Sequence, residues 1–192
     1  MLDLTPATDA VAGVVTAVRD DQLDGPTPCP EMTVAALLDH LDGLAQAFAA
    51  AAAKTPLDAG ASVDASRLGD DWRTRIPARL AALAAAWQDG DAWTGMTAAG
   101  GVDLPGEVAG LVAVDEVVVH GWDLARATGQ RLVVPDAVVD GALGFVRQAV
   151  AEHPEGTPGL FGPPVAVPDD APALDRLVGL AGRDPSWTPR TR

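Results

Sequence analysis

The chain has 192 residues, a length for one domain or one domain with an appendage. Apolar residues make up 48%, enough for a real core, although much of that fraction is alanine, which buries little area per side chain. With 13 basic against 27 acidic residues the formal charge is -14, a field that repels phosphate and excludes nucleic acid and anionic membrane as default partners.

Cys29 is the only cysteine, which excludes an intrachain disulfide and a thiolate metal cluster. The opening MLDLTPATDAVAGVVTAVRD places no positive charge before an apolar run, so no secretory signal is expected. No stretch of about 18 uncharged apolar residues offers a membrane span. The expectation is a soluble cytoplasmic protein.

The first predicted helix covers about residues 7–23, where Val11, Val14, Val15 and Val18 recur at helical spacing. Pro26, Pro28 and Pro30 then punctuate a loop, and Thr33 is placed to cap a second helix running to about residue 54. Leu37, Leu41, Leu44 and Phe48 form its apolar stripe, and His40 falls on the same face. After a loop over 56–70, a third helix over about 71–87 carries Ile76, Leu80, Leu83 and Trp87. Residues 90–106 are Gly-rich and irregular, with room for short strands. A fourth helix is predicted over about 107–128, stopped by Gly129. A fifth follows Pro135 and ends near His153; a Pro-rich arm and a short helix over about 173–182 complete the chain.

Four long helices without regular strand signals predict an all-α fold, a helix bundle with minor strand pieces. The β-branched run Val117–Val119 is the weak point, because it also suits a strand. The expected organisation is a metal-binding bundle domain over 1–155, with the arm and short helix of 156–192 packed on it.

The chemistry concentrates on His40, Glu116 and His120. In a helix Glu116 and His120 share a face about 6 Å apart along the axis, close enough to hold one ion. In a strand they stand roughly 13 Å apart, too far. Burying a carboxylate beside imidazoles is costly unless something satisfies both, and a divalent cation does so. One hard oxygen and two imidazole nitrogens suit zinc, and also nickel, iron or manganese. Three protein ligands leave an open coordination position, the mark of a chemically useful metal. By spacing alone the bland readings lead: a lone histidine on an apolar stripe is usually a satisfied core residue, and Glu-x-x-x-His is usually a surface helix pair.

Asp123 is placed to orient a ligand, and Arg126 to bind an anionic group nearby; an ordinary Asp–Arg helix pair is the competing reading. His153 reads as a partner of a helix C-terminus, and Cys29 as an incidental thiol with no basic neighbour in sequence. There is no GxSxG, P-loop or GxGxxG motif, and no tyrosine to serve as an acid.

The segments TPCPEMTVAALLDHL and EVVVHGWDLARATGQ resemble the two hallmark segments of the DinB-like superfamily. The closer branch contains the N-terminal domain of mycothiol-dependent maleylpyruvate isomerase and many actinobacterial metal-binding proteins. The tail FGPPVAVPDDAPALDRLVGLAGRDPSW resembles the latter group. The resemblance implies a four-helix bundle with a divalent metal held by His40, Glu116 and His120, and a small-molecule thiol such as mycothiol as co-substrate. Two departures stand out. Met32 occupies a place where the family usually has tryptophan, and an arm with a short helix stands where the isomerase has a further domain. The second departure counts against the maleylpyruvate isomerase activity specifically.

Two functions follow as expectations. One is a thiol-dependent transferase or isomerase that attacks a small electrophile through a metal-bound thiolate. The other is a non-catalytic metal-binding or protein-interaction module in which the metal is structural. A homodimer is compatible with either.

Overall fold

The computed structural model describes residues 1–55, 57, 63–157 and 160–189. Its helices are α1 (Thr5–Thr16), α2 (Val34–Ala52), α3 (Trp72–Ala86), α4 (Gly106–Ala127), α5 (Asp136–Glu152) and α6 (Ala173–Leu180). A hairpin of β1 (Met96–Ala99) and β2 (Val102–Pro105) precedes α4. Helices α1 and α2 each pack against both α3 and α4, so neighbours run α1–α3–α2–α4 around a four-helix bundle. Helix α5 covers the far side of α4, and α6 lies against α5 and α4. The architecture is the predicted all-α, DinB-like bundle, with a short C-terminal extension and one small sheet.

Local chemistry explains most of the boundaries. The Thr33 hydroxyl accepts the Ala36 N–H at 3.3 Å and caps α2. Helix α1 ends at Thr16, short of the expected 23. Its last turn tightens to three-residue hydrogen bonds, and Arg19 is extended. The Gln22 side chain then accepts the Arg19 N–H at 2.9 Å and starts a separate short turn over Asp20–Gln22.

Helix α4 resolves the ambiguity of Val117–Val119 in favour of the helix. Packed by α1, α2 and α5, it is buried on nearly every side, and all three valines are core residues. Tertiary burial outweighs their modest helix propensity. Its end is a Schellman motif: Gln130 N–H reaches Ala125 O at 2.8 Å, and Gly129 N–H reaches Arg126 O at 3.4 Å. Gly121 lets α1 and α4 approach, since a Cβ there would lie 2.3 Å from Val11 Cγ2.

The segment expected to be irregular holds the hairpin, closed by Gly100 and Gly101 with φ of +59° and +80°. Two successive positive φ values make the primed turn that matches strand twist. The Thr97 hydroxyl donates to Ala51 O at 2.7 Å and pins β1 to the end of α2. Nearby, Lys54 Nζ donates to the carbonyls of Ala92 and Thr94 at 2.7 and 2.8 Å. The C-terminal arm is tied down by Val165 N–H to Gly179 O at 2.8 Å. Among the described residues no helix is long and apolar enough to cross a membrane.

Candidate metal centre

Helices α2 and α4 are neighbours, and their contact brings His40 to Glu116 and His120. His40 sits at the edge of the α2 stripe; Glu116 and His120 share one face of α4. Glu116 Oε2 lies 3.5 Å from His40 Nε2 and 3.3 Å from His120 Nε2. The imidazole rings meet edge to face with centroids 4.7 Å apart. One ligand atom from each of the three residues falls within 4.8 Å of the others.

The two Glu116–histidine spacings suit a metal site as well as long hydrogen bonds. A charge-assisted N–H···O bond closes to about 2.7–2.9 Å. Two ligands about 2.1 Å from a tetrahedral ion stand about 3.4 Å apart. The observed 3.3 and 3.5 Å match the tetrahedral edge. The residues present therefore fit a divalent cation.

Electrostatics agree with a cluster that wants a cation. Burial acts to raise the Glu116 pKa, but contacts with His120 and His40 overcome it and hold the carboxyl well below the usual carboxylate range. Burial acts to lower the His120 pKa, but Asp123 and Glu116 raise it to about 9. Without a metal, a proton on His120 supplies the missing positive charge.

Behind His120 stands a support. Its Nδ1 lies 3.1 Å from Asp123 Oδ2, and the fully buried Asp123 also receives Arg183 Nη2 at 3.2 Å. With Nε2 turned to a cation, Nδ1–H donates to the carboxylate, which fixes tautomer and ring orientation. Asp123 thus lies where the sequence reading put it. Arg183 was missed: it arrives from the tail, 60 residues away, with no local pattern to mark it. Asp115 was missed too. Its side chain is buried and Oδ1 has no hydrogen-bond partner; desolvation, then the charge of Glu116, pushes its carboxyl well above the usual range. A carboxylate bracketed by Val114 and Val118 in the sequence was the available signal.

The structure does not bring Arg126 to the cluster. Its guanidinium lies over the Trp122 ring and Nε donates to Trp187 O at 3.2 Å, in a separate cavity of about 510 Å³. His153 caps the C-terminal end of α5, with Nδ1 3.8 Å from Glu155. Cys29 is partly buried, and desolvation pushes its thiol up; the positive charge acting on it comes from Arg183, which the local sequence did not reveal.

His40 and Glu116 open onto a cavity of about 470 Å³. Leu44 and Phe48 of α2 and Val112 of α4 form its lower wall. The hairpin contributes Val102 and Leu104, and the arm contributes Thr157 and Leu160. A cation at the cluster would face a formed, mostly apolar chamber.

Comparison with known proteins accords with this geometry. The family described as the mycothiol maleylpyruvate isomerase N-terminal domain matches residues 4–125, which include all three donors. Two uncharacterised proteins of Mycobacterium tuberculosis, Rv0738 of strain H37Rv and MT0763 of strain CDC 1551 / Oshkosh, are each 33% identical over 181 residues, covering 92% of this chain and 93% of theirs. The crystal structure of the mycothiol-dependent maleylpyruvate isomerase shares the fold, with a TM-score of 0.56 at 17% identity over 75% of this chain and 68% of that one. By the extent of these matches, the chain belongs to the mycothiol maleylpyruvate isomerase N-terminal domain family.

Proposed function

We propose that this protein is a divalent-metal-binding, thiol-dependent enzyme of transferase or isomerase type. In it His40, Glu116 and His120 hold the ion, and a mycothiol-type thiol and a small electrophile are the substrates. The observation that carries the reading is the spacing of Glu116 from both histidines, 3.5 and 3.3 Å, with His40 and Glu116 opening onto a formed cavity. The printed name of the structural neighbour supports the choice of thiol.

Zinc suits the donor set best, with nickel, iron or manganese as further candidates. When bound, the cation would supply Lewis acidity that favours a thiol as its thiolate. The protein's own groups do the rest. Glu116 offsets cation charge, and Asp123, held by Arg183, fixes the His120 ring. The apolar walls lower the polarity around the place where the thiol sulfur and electrophilic carbon would meet. The thiol proton leaves to solvent as the C–S bond forms, and the π bond of the acceptor breaks onto its neighbouring atom. That atom takes a proton from solvent to complete an addition, or the step reverses and expels the thiol from an isomerised product.

Residues 1–155 would form the metal-binding unit. Residues 156–192 would complete it, supplying cavity wall through Thr157 and Leu160 and support for His120 through Arg183. The cavity above the donors favours this reading over an ion that merely ties α2 to α4. Arg126 would then serve as a tether for the tail, not as an anion site.

The test is twofold. Purified protein should carry about one equivalent of metal, and should turn over members of an electrophile panel only when both metal and mycothiol, or a cysteine-derived surrogate, are present. Metal retained in His40→Ala and His120→Ala variants would sink the site. A full metal complement with no thiol-dependent turnover would leave the structural-metal module as the better account.

A further inference from the structure

We infer that the electrophile taken by this cavity is uncharged and mainly apolar, and that carboxylate substrates are disfavoured; this rests on the thiol-dependent reading of the same site. Among the described residues that line the cavity, the ionisable side chains are His40 and Glu116, both committed to the cation. No lysine or arginine is among the described residues that line it. The nearby cations are occupied elsewhere: Arg183 holds Asp123 behind His120, and Lys54 holds the carbonyls of Ala92 and Thr94.

The charge balance closes the argument. A divalent cation with Glu116 leaves one net positive charge, and a thiolate at the open position cancels it. An acceptor carboxylate entering afterwards would give up hydration with no cationic partner among the described lining residues to replace it. It would also approach against the field of a chain with net charge -14. An uncharged acceptor meets Leu44, Phe48, Val112, Val102, Leu104 and Leu160, with the Thr157 hydroxyl the one neutral polar side chain among the described lining residues. A cavity of about 470 Å³ is within the range that encloses a small organic molecule. A dicarboxylate such as maleylpyruvate is a poor fit by the same reasoning.

The experiment is a binding competition that needs no turnover. Zinc-loaded full-length protein, with 2-mercaptoethanol present to occupy the metal, is titrated with the uncharged fluorophore N-phenyl-1-naphthylamine. Methyl 3-phenylpropanoate and 3-phenylpropanoate, which do not react with thiols, then compete for it. The ester should displace the probe at a concentration at least tenfold lower than the acid. Leu160→Arg, on the arm, and Val112→Arg, on α4, should each lower that ratio severalfold by supplying the absent cation. Equal or better competition by the acid in the wild type overturns the inference. So does an ester that fails to displace the probe, or a ratio unmoved in Leu160→Arg. A preserved ester preference without thiol-dependent turnover supports the inference and counts against the thiol reading alone. Thiol-dependent turnover that favours acids over their esters overturns the inference and leaves the thiol reading standing.

Discussion

Arg183 and Asp123 meet inside the protein, guanidinium Nη2 to carboxylate Oδ2 at 3.2 Å, although 60 residues separate them. The same oxygen faces His120 Nδ1, so a residue of the C-terminal tail helps to orient a candidate metal ligand. Replacing Asp123 by Asn keeps its shape but removes the charge that both partners need. Zinc affinity, read by competition with a chromogenic chelator, is expected to fall about 10–100-fold. Arg183→Met should leave His120 as the remaining charged partner of Asp123 and lower unfolding free energy by about 1.5–3 kcal/mol in urea titrations. An Arg183→Met protein as stable as wild type would show that the tail is dispensable to the core.

Removal of the metal should be costly, and the donors should be unequal to any substitute. His40→Ala and His120→Ala should each reduce bound zinc to less than about a tenth of an equivalent, because two ligands seldom retain a site built for three. In wild type, saturating zinc should raise the melting temperature by several degrees through linkage, about 2.7 kcal/mol at a hundredfold excess over Kd. The two alanine variants should show no such rise.

Proton and metal compete for His120. In the metal-free protein its pKa stands at about 9 against an ordinary 6.5, so the folded state holds the proton more tightly than the unfolded chain. That stabilisation is fully present below 6.5 and is lost as pH rises through 9, a change on the order of 3 kcal/mol. Urea midpoints of the metal-free protein should therefore fall between pH 6.5 and 9. Zinc-loaded protein should lack that component, as should His120→Ala. Glu116 works in the opposite sense. Its pKa is depressed, so its contribution is present above the ordinary 4.5 and is lost as pH falls toward its folded value.

Much of the site could be read from the sequence because it is helical. Glu116, His120 and Asp123 follow each other at spacings that a helix converts into neighbours, and His40 is marked by its leucine stripe. Arg126 shows the limit of the same logic. Six residues beyond His120, its side chain lies about 120° round the helix and faces a different cavity. Arg183 and the walls from the hairpin and arm depend on long-range packing that no periodicity encodes. The first helix was overextended because Val18 continues the apolar spacing, although it is buried outside the helix.

Packing around the ligand helix offers a test independent of metal. A methyl group at position 121 would meet Val11 Cγ2 at 2.3 Å, too close for either helix to absorb without moving. Gly121→Ala should destabilise the fold by about 1–3 kcal/mol despite alanine's better helix propensity. Val11→Ala in the same chain should restore part of the loss, measured as a double-mutant cycle in urea. Full additivity of the two changes would mean that the helices separate instead of clashing.

The two-residue hairpin turn at Gly100–Gly101 has one more implication. Among the described residues its strands pair only with each other, so the tongue they form before α4 is held by side-chain contacts such as Thr97 to Ala51. The donors come from α2 and α4, whereas much of the chamber wall comes from this tongue and the arm. On the proposed reading, reactivity would rest with α2 and α4, and selectivity in part with the tongue and arm. Exchanging the tongue would retune what enters the chamber while leaving the ion's ligands untouched.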